Sequence, residues 1–232
     1  MVKKRKSLWT DYTKGATLAF ELPVAETFHS IQGEGVWTGT QAAFIRLAGC
    51  NLKCSFCDTD HKARVKLTIP DLMGSIRGKH HVVITGGEPT IHNLHPLTRE
   101  LKNQGHFIQV ETNGTGRVPP EVDWVTMSPK FPFDNLNLSR CDELKIVWSP
   151  AMSIPVVKEL LKVVRADHYF IQPLSGRKGG EQLVPVIHAT GMNIAVFESN
   201  LDEVFEILPV LSWRTDISWR LSLQTQKLIG VQ

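Results

Sequence analysis

Short runs of apolar and β-branched residues alternate along the chain with longer stretches whose apolar positions recur every three or four residues. Ala43-Phe44-Ile45-Arg46-Leu47 and His81-Val82-Val83-Ile84-Thr85 read as strands, and 107–111, 124–127, 144–147, 169–172 and 220–223 as further short ones. Four helices fit among them. Thr68 caps the first, with Pro70 in its opening turn, an end near Ile76 and Gly78 beyond. Pro96 opens the second, which carries Leu97 and Leu101 and stops before Gly105. The third runs from Ile154 to Val164 with Pro155 in its first turn. The fourth runs from Leu201 to Leu208, capped by Asn200 and ending near Pro209. Alternation of this kind implies parallel strands joined by helical crossovers, an α/β barrel or open sheet. Ligands of such folds gather at the carboxyl ends of the strands. Polar clusters fall there: Thr85-Gly86-Gly87-Glu88, Glu111-Thr112-Asn113-Gly114, Ser128-Pro129-Lys130, Gln172-Pro173 and Gln224-Thr225-Gln226.

Composition adds bounds. At 232 residues, 42% hydrophobic and 21% charged, residues 1–232 read as a single globular domain, with 1–20 a basic N-terminal extension. No apolar stretch is long enough to span a membrane. A net charge of +3 does not argue for nucleic acid, and Lys3 to Lys6 read as a solvated tail. That tail leads into Ser7-Leu8-Trp9-Thr10-Asp11 and not into an apolar core, so no signal peptide is expected. Of four cysteines, three lie within eight residues, which fits a reducing cytoplasm better than a disulfide framework; Cys141 reads as structural.

Those three, Cys50, Cys54 and Cys57, are spaced C-x3-C-x2-C directly after a strand candidate. Three thiolates can hold three irons of a 4Fe–4S cluster, which normally takes four, leaving one iron open for chemistry. A zinc site completed by His61, or three unligated cysteines, are the rival readings. Gly86-Gly87-Glu88-Pro89 follows the second strand; its glycines leave room for a ligand against the backbone, and Glu88 with adjacent amides can take an ammonium or a carboxylate. Phe56 can lie against an adenine ring.

The cysteine spacing followed by strand-Gly-Gly-Glu-Pro resembles the radical S-adenosylmethionine enzymes. Phe28-His29-Ser30-Ile31-Gln32-Gly33-Glu34-Gly35, the run Ala43 to Thr59, Glu111-Thr112-Asn113-Gly114, Ser128-Pro129-Lys130 and Leu221-Ser222-Leu223-Gln224-Thr225 narrow this. In that order they resemble the 7-carboxy-7-deazaguanine synthases, from about residue 24 onward. The resemblance implies an incomplete (β/α) barrel of about six core parallel strands. It implies a carbon–nitrogen lyase in which a 5′-deoxyadenosyl radical starts the contraction of 6-carboxy-5,6,7,8-tetrahydropterin to 7-carboxy-7-deazaguanine with loss of ammonia. A 4Fe–4S cluster, S-adenosylmethionine and Mg2+ are the implied cofactors. A homodimer and a flavodoxin or ferredoxin as reductant are the implied partners.

Residue roles follow from the same resemblance. Cys50, Cys54 and Cys57 would hold the cluster and Thr59 the Mg2+, which rarely has an all-protein cage. Ile31, Gln32, Gly33, Glu34, Arg46 and Thr85 would bind substrate. Phe56, Cys57, Asp58, Gly87, Glu88, Ser128, Pro129, Lys130 and Gln172 would bind S-adenosylmethionine. An Arg on an apolar strand needs a partner; a substrate carboxylate suits Arg46, and a structural ion pair is the plainer reading. Gln32-Gly33-Glu34-Gly35 without the resemblance reads as a hairpin turn. Where the family often has Gln-Thr-His, this chain has Gln224-Thr225-Gln226, and a glutamine cannot titrate near neutral pH. The region 178–216 aligns less readily, and 187–200 reads as an added strand or loop. Two alternatives stay open: an activase that makes a glycyl radical on a partner protein, which would lack Gln-Gly-Glu-Gly, and a zinc-binding or nucleic-acid module, which would be colourless and bind through Lys3 to Lys6.

Overall fold

The computed structural model describes residues 19–174, 184–187, 193–196 and 200–231. The basic tail and most of 178–200 therefore lie outside the described residues. A nine-stranded sheet dominates. Its strands in chain order are β1 (Glu21–Ile31), β2 (Gln41–Leu47), β3 (Val65–Thr68), β4 (His81–Gly86), β5 (Phe107–Thr112), β6 (Trp124–Met127), β7 (Arg140–Trp148), β8 (Arg165–Pro173) and, after a separate pair β9 (Val184–Ile187) and β10 (Asn193–Val196), β11 (Trp219–Leu221). The helices are α1 (Ile69–Ser75), α2 (His95–Asn103), α3 (Ile154–Val163), α4 (Leu201–Thr215) and α5 (Thr225–Leu228).

From β2 through β4, β5, β6, β7 and β8 every pairing is parallel, and three-residue β11 extends the run beyond β8. Two antiparallel strands, β1 and β3, finish the other edge, and the two ends do not pair. This is the expected incomplete barrel. The six core strands stand, with β11 as a short seventh.

The parallel strands are buried on both faces, as crossover helices require. On the outer face Ala43, Ile45 and Leu47 of β2 and Val82 and Ile84 of β4 pack with Leu72 of α1 and Leu97 and Leu101 of α2. Leu144, Ile146 and Trp148 of β7 pack with Leu160 of α3 and Leu211 of α4. Thr68 closes a capping box with Asp71 at the start of α1, where the sequence places a cap.

The inner face is layered by the strand alternation. At the amino-terminal ends, Trp37 packs edge-on against His81, Phe107 and Trp124, with ring centroids 5.0–5.4 Å apart. Above them the His81 ring meets Gln109 Oε1 at 2.9 Å, and Gln109 Nε2 donates to Thr126 Oγ1 at 3.1 Å. Burial chiefly pushes the His81 pKa down, which suits a neutral ring in that layer. The aromatic layer fills the amino end, so the interior opens at the carboxyl ends, where Thr85, Glu111, Lys145 and Gln172 face a cavity.

Two expectations need correction. α4 does not end near Pro209 but continues to Thr215. Val204 and Leu211, both fully buried, hold it on either side of the proline and outweigh one missing backbone bond. Asn200 does not cap α4 with its side chain; its Oδ1 accepts Leu174 N–H at 2.6 Å and its Nδ2 donates to the Trp148 carbonyl at 2.7 Å. β1 escaped the sequence pattern because polar residues and Pro23 interrupt it, and a register irregularity falls between Val24 and Glu26.

Leu97 is fully buried in the core beneath α2. Leu97→Ala should lower unfolding stability by about 2–5 kcal/mol in denaturant titration, whereas Trp213→Ala, on a side chain 74% exposed, should change it by less than about 0.5 kcal/mol. Equal effects would contradict this placement of the core.

Candidate active site

One cavity of about 440 Å³ lies at the carboxyl ends of the parallel strands. Cys50, Cys54, Phe56, Cys57, Asp58 and Thr59, on the loop after β2, form one wall. Backbone bonds fix the root of this loop: Gly49 N–H donates to the His61 carbonyl at 2.8 Å, and Glu88 N–H to the Gly49 carbonyl at 2.9 Å. The loop after β4 lies so close that a Cβ on Gly87 would sit 2.3 Å from Gly49 O and 2.7 Å from Cys50 Cβ. Glycine is required there by contact with the cysteine loop.

Cys50 and Cys54 are half-buried and Cys57 exposed, none in a disulfide. Burial pushes the Cys54 thiol up, with Cys57 and Cys50 adding to the effect and Lys130 opposing it. Among the described residues no three His, Cys, Asp or Glu side chains close on a single ion. One thiolate on each of three irons needs sulfurs spread around a cluster, not drawn to a point, and three cysteines bordering one cavity fit that donor set. His61 does not line the cavity, which leaves the zinc reading without its fourth ligand.

A second wall is the Gln32–Glu34 segment, which both turns the β1–β2 hairpin and faces the cavity. Gln32 is 2% exposed; its Nε2 donates to Glu111 Oε1 at 2.8 Å and its Oε1 accepts Glu34 N–H at 3.2 Å. Glu34 pairs with Lys145, whose ammonium also lies 3.9 Å from Glu111. Burial disfavours the Glu34 carboxylate, yet Lys145 and Gln224 hold its pKa below the usual range. Burial likewise opposes the Lys145 charge, and Glu111 and Glu34 hold its pKa above the usual value. The site keeps both charges.

The C-terminal segment backs this loop. Thr225 N–H donates to the Gly33 carbonyl at 3.0 Å, and Gln224 Nε2 and Gln226 Nε2 reach Glu34 Oε1 at 2.9 and 3.4 Å. Gln226 thus keeps a hydrogen bond where an imidazole was expected. Lys227 pairs with Asp58; burial raises the Asp58 pKa, and Lys227 outweighs it, leaving the carboxyl below its ordinary value.

Ile31, Gly33, Arg46, Thr85, Gly87, Ser128, Lys130 and Gln172 also line the cavity. Arg46 takes the plainer of its two partners: its Nε donates to Glu26 Oε1 at 2.7 Å, and it lies over the Phe28 ring, which stacks on Phe44. Lys130 donates to Ser128 O and Oγ at 2.7 and 2.6 Å. Burial, with Lys145 acting the same way, pushes its pKa down to about 8.

Glu88 and Pro129 do not line the cavity. Glu88, 1% exposed, turns inward: its carboxylate accepts Thr90 N–H, Thr90 Oγ1, Thr112 Oγ1 and Asn113 N–H at 2.6–3.0 Å. It braces the loops after β4 and β5 and is not offered to a ligand. Conversely, Lys145 and Lys227 face the cavity without having been singled out, and Glu111 and Gln224 do so from polar clusters that had been given no role. The alternation Glu143-Leu144-Lys145-Ile146-Val147 was a signal for Lys145, since a lysine inside a strand buried on both faces must meet an anion.

A model of the radical SAM superfamily matches residues 44–125. The 7-carboxy-7-deazaguanine synthase of Bacteroides thetaiotaomicron is 37% identical over 212 residues, covering 90% of this chain and 98% of that protein. The synthase of Neisseria meningitidis is 33% identical over 218 residues, covering 90% and 93%. A crystal structure of QueE from Escherichia coli superposes with a TM-score of 0.67 at 30% identity, covering 88% of this chain and 94% of that one. With such identity along nearly the whole of both chains, this protein belongs to the 7-carboxy-7-deazaguanine synthase family of radical S-adenosylmethionine enzymes.

Proposed function

We propose that this cavity binds 6-carboxy-5,6,7,8-tetrahydropterin and converts it to 7-carboxy-7-deazaguanine with loss of ammonia. The observation that carries the reading is the meeting of two walls in one cavity: three cysteines on one, buried Gln32 and ionised Glu34 on the other. With S-adenosylmethionine, the 4Fe–4S cluster supplies one-electron, hydrogen-abstracting chemistry.

The chain's own residues bind and orient. Glu34 and Glu111 present carboxylate oxygens to the N–H donors of the aminopyrimidinone ring. Gln32 holds both at fixed positions and keeps one N–H and one lone pair for the ligand. Arg46, which lines the cavity, commits Nε to Glu26, and its terminal nitrogens would take the substrate carboxylate in a charge-assisted contact. Cys50, Cys54 and Cys57 hold the cluster and Thr59 the Mg2+. Phe56, Asp58, Gly87, Ser128, Lys130 and Gln172 surround S-adenosylmethionine. No helix among the described residues is long and apolar enough to cross a membrane. A cytoplasmic homodimer reduced by flavodoxin or ferredoxin completes the reading.

The test is anaerobic incubation of reconstituted protein with reductant, S-adenosylmethionine, Mg2+ and the carboxytetrahydropterin. Formation of the deazaguanine is expected; its absence with an intact cluster would overturn the substrate. Cys54→Ala should remove the brown iron–sulfur absorbance and reductive cleavage of S-adenosylmethionine together, and retention of both refutes the ligand role. Arg46→Ala should raise KM about 10–100-fold, the range for a lost hydrogen bond to a charged group, with the absorbance unchanged; an unaltered KM refutes the carboxylate contact.

A further inference from the structure

We infer that Glu143 is a positioning residue for substrate binding: its buried carboxylate, on β7, fixes the backbone of the Gln32–Gly35 loop and through it the place of Glu34. The inference rests on the pterin reading of the cavity. Glu143 is 1% exposed and does not line the cavity, so it acts through other groups. Its Oε2 accepts the Val36 N–H at 2.9 Å. Gly35, at φ +67°, lies directly over the carboxyl group: a Cβ there would fall 2.0–2.4 Å from its three atoms. Gly35 is thus required both by its backbone angle and by the closeness of Glu143.

The loop is held from a second side as well. Gly35 N–H donates to Ser222 Oγ at 3.2 Å, and Ser222 Oγ donates to Gln172 Oε1 at 3.2 Å. Glu143 therefore sits under the turn whose outer residue, Glu34, faces the ligand.

A carboxylate is an expensive choice for a buried post. Glu34 on the loop and Glu111 on β5 face it with like charge, and Lys145 on its own strand with opposite charge. The His168 ring is its partner in register on β8, and Thr126 on β6. Burial first, then Glu111 and Glu34, push its pKa up to about 7, against the Val36 N–H and Lys145. Ionised, it grips the Val36 N–H with a charged acceptor; protonated, with a weaker neutral one. Loop placement should then loosen as pH falls through that value.

The experiment measures binding of 6-carboxypterin by fluorescence, and KM for the carboxytetrahydropterin, from pH 6 to 9 in reconstituted wild type, Glu143→Ala and Glu143→Gln. Reductive cleavage of S-adenosylmethionine without substrate reports the cofactor side. Glu143→Ala should weaken pterin binding and raise KM about tenfold or more, with substrate-free cleavage within about twofold of wild type. Glu143→Gln, which keeps a neutral acceptor, should recover the affinity that the wild type shows at the acid end of the range. Wild-type affinity should fall as pH drops through about 7, and Glu143→Gln should be flat there. Lys130, whose pKa burial pushes down to about 8, is present in both proteins, so the difference between their profiles isolates Glu143. If Glu143→Ala does not fold, the Glu143→Gln profile decides. A Glu143→Gln protein with the wild-type pH profile, or a Glu143→Ala protein that loses only melting temperature, overturns the inference while leaving the substrate reading intact. A wild type that cleaves S-adenosylmethionine but neither binds nor converts the pterin overturns both.

Discussion

An ammonium buried between two carboxylates organises this molecule. Lys145 is 5% exposed and pairs with Glu34, 111 positions earlier, and with Glu111 on β5. Breaking a buried pair by removing one partner costs typically about 3–5 kcal/mol, because the other charge is left without compensation. That penalty ties the hairpin of the antiparallel edge to the middle of the parallel sheet. With the bonds from the C-terminal segment to Gly33, Glu34 and Gly35, it draws the hairpin loop against the far strands of an unclosed sheet.

The two walls of that cavity are built on different principles. The cysteine wall is a loop rooted by backbone bonds and by the close pass of Gly87, with Asn51 bonded to Asn113 and Thr115 and Asp58 paired with Lys227. The second wall is already bonded throughout: Gln32 to Glu111, Glu34 to Lys145, Gln224 and Gln226, Gly35 to Ser222. A preformed polar wall sharing a cavity with the cysteine loop suits a reaction in which a fixed substrate atom must meet a reactive cofactor.

Much of this was legible in the residues, and the part that was not has a common cause. The core parallel strands and the four main helices followed from periodicity and the cysteine spacing marked one wall, whereas Gln32-Gly33-Glu34-Gly35 reads locally as a hairpin turn and gained its substrate role only from the family resemblance. What local sequence does not encode is the direction of a side chain once distant segments meet. Glu88 stood beside two glycines and read as a ligand contact, but Thr112 and Asn113 claim its carboxylate from 24 and 25 positions away. Lys145 and Glu143 carried no role in the sequence reading, and only the fold shows them buried. Pro209 read as a stop, and the packing of Val204 and Leu211 carried α4 past it.

The central claim is that the Lys145 charge assembles the substrate wall independently of the cysteine wall. Pterin binding and reductive cleavage of S-adenosylmethionine by Lys145→Met, compared in one reconstituted preparation, test it most directly. The account predicts pterin affinity reduced at least about a hundredfold, on the scale of a broken buried pair, with substrate-free cleavage near the wild-type rate. Undiminished pterin affinity, or loss of both activities in parallel, would contradict it.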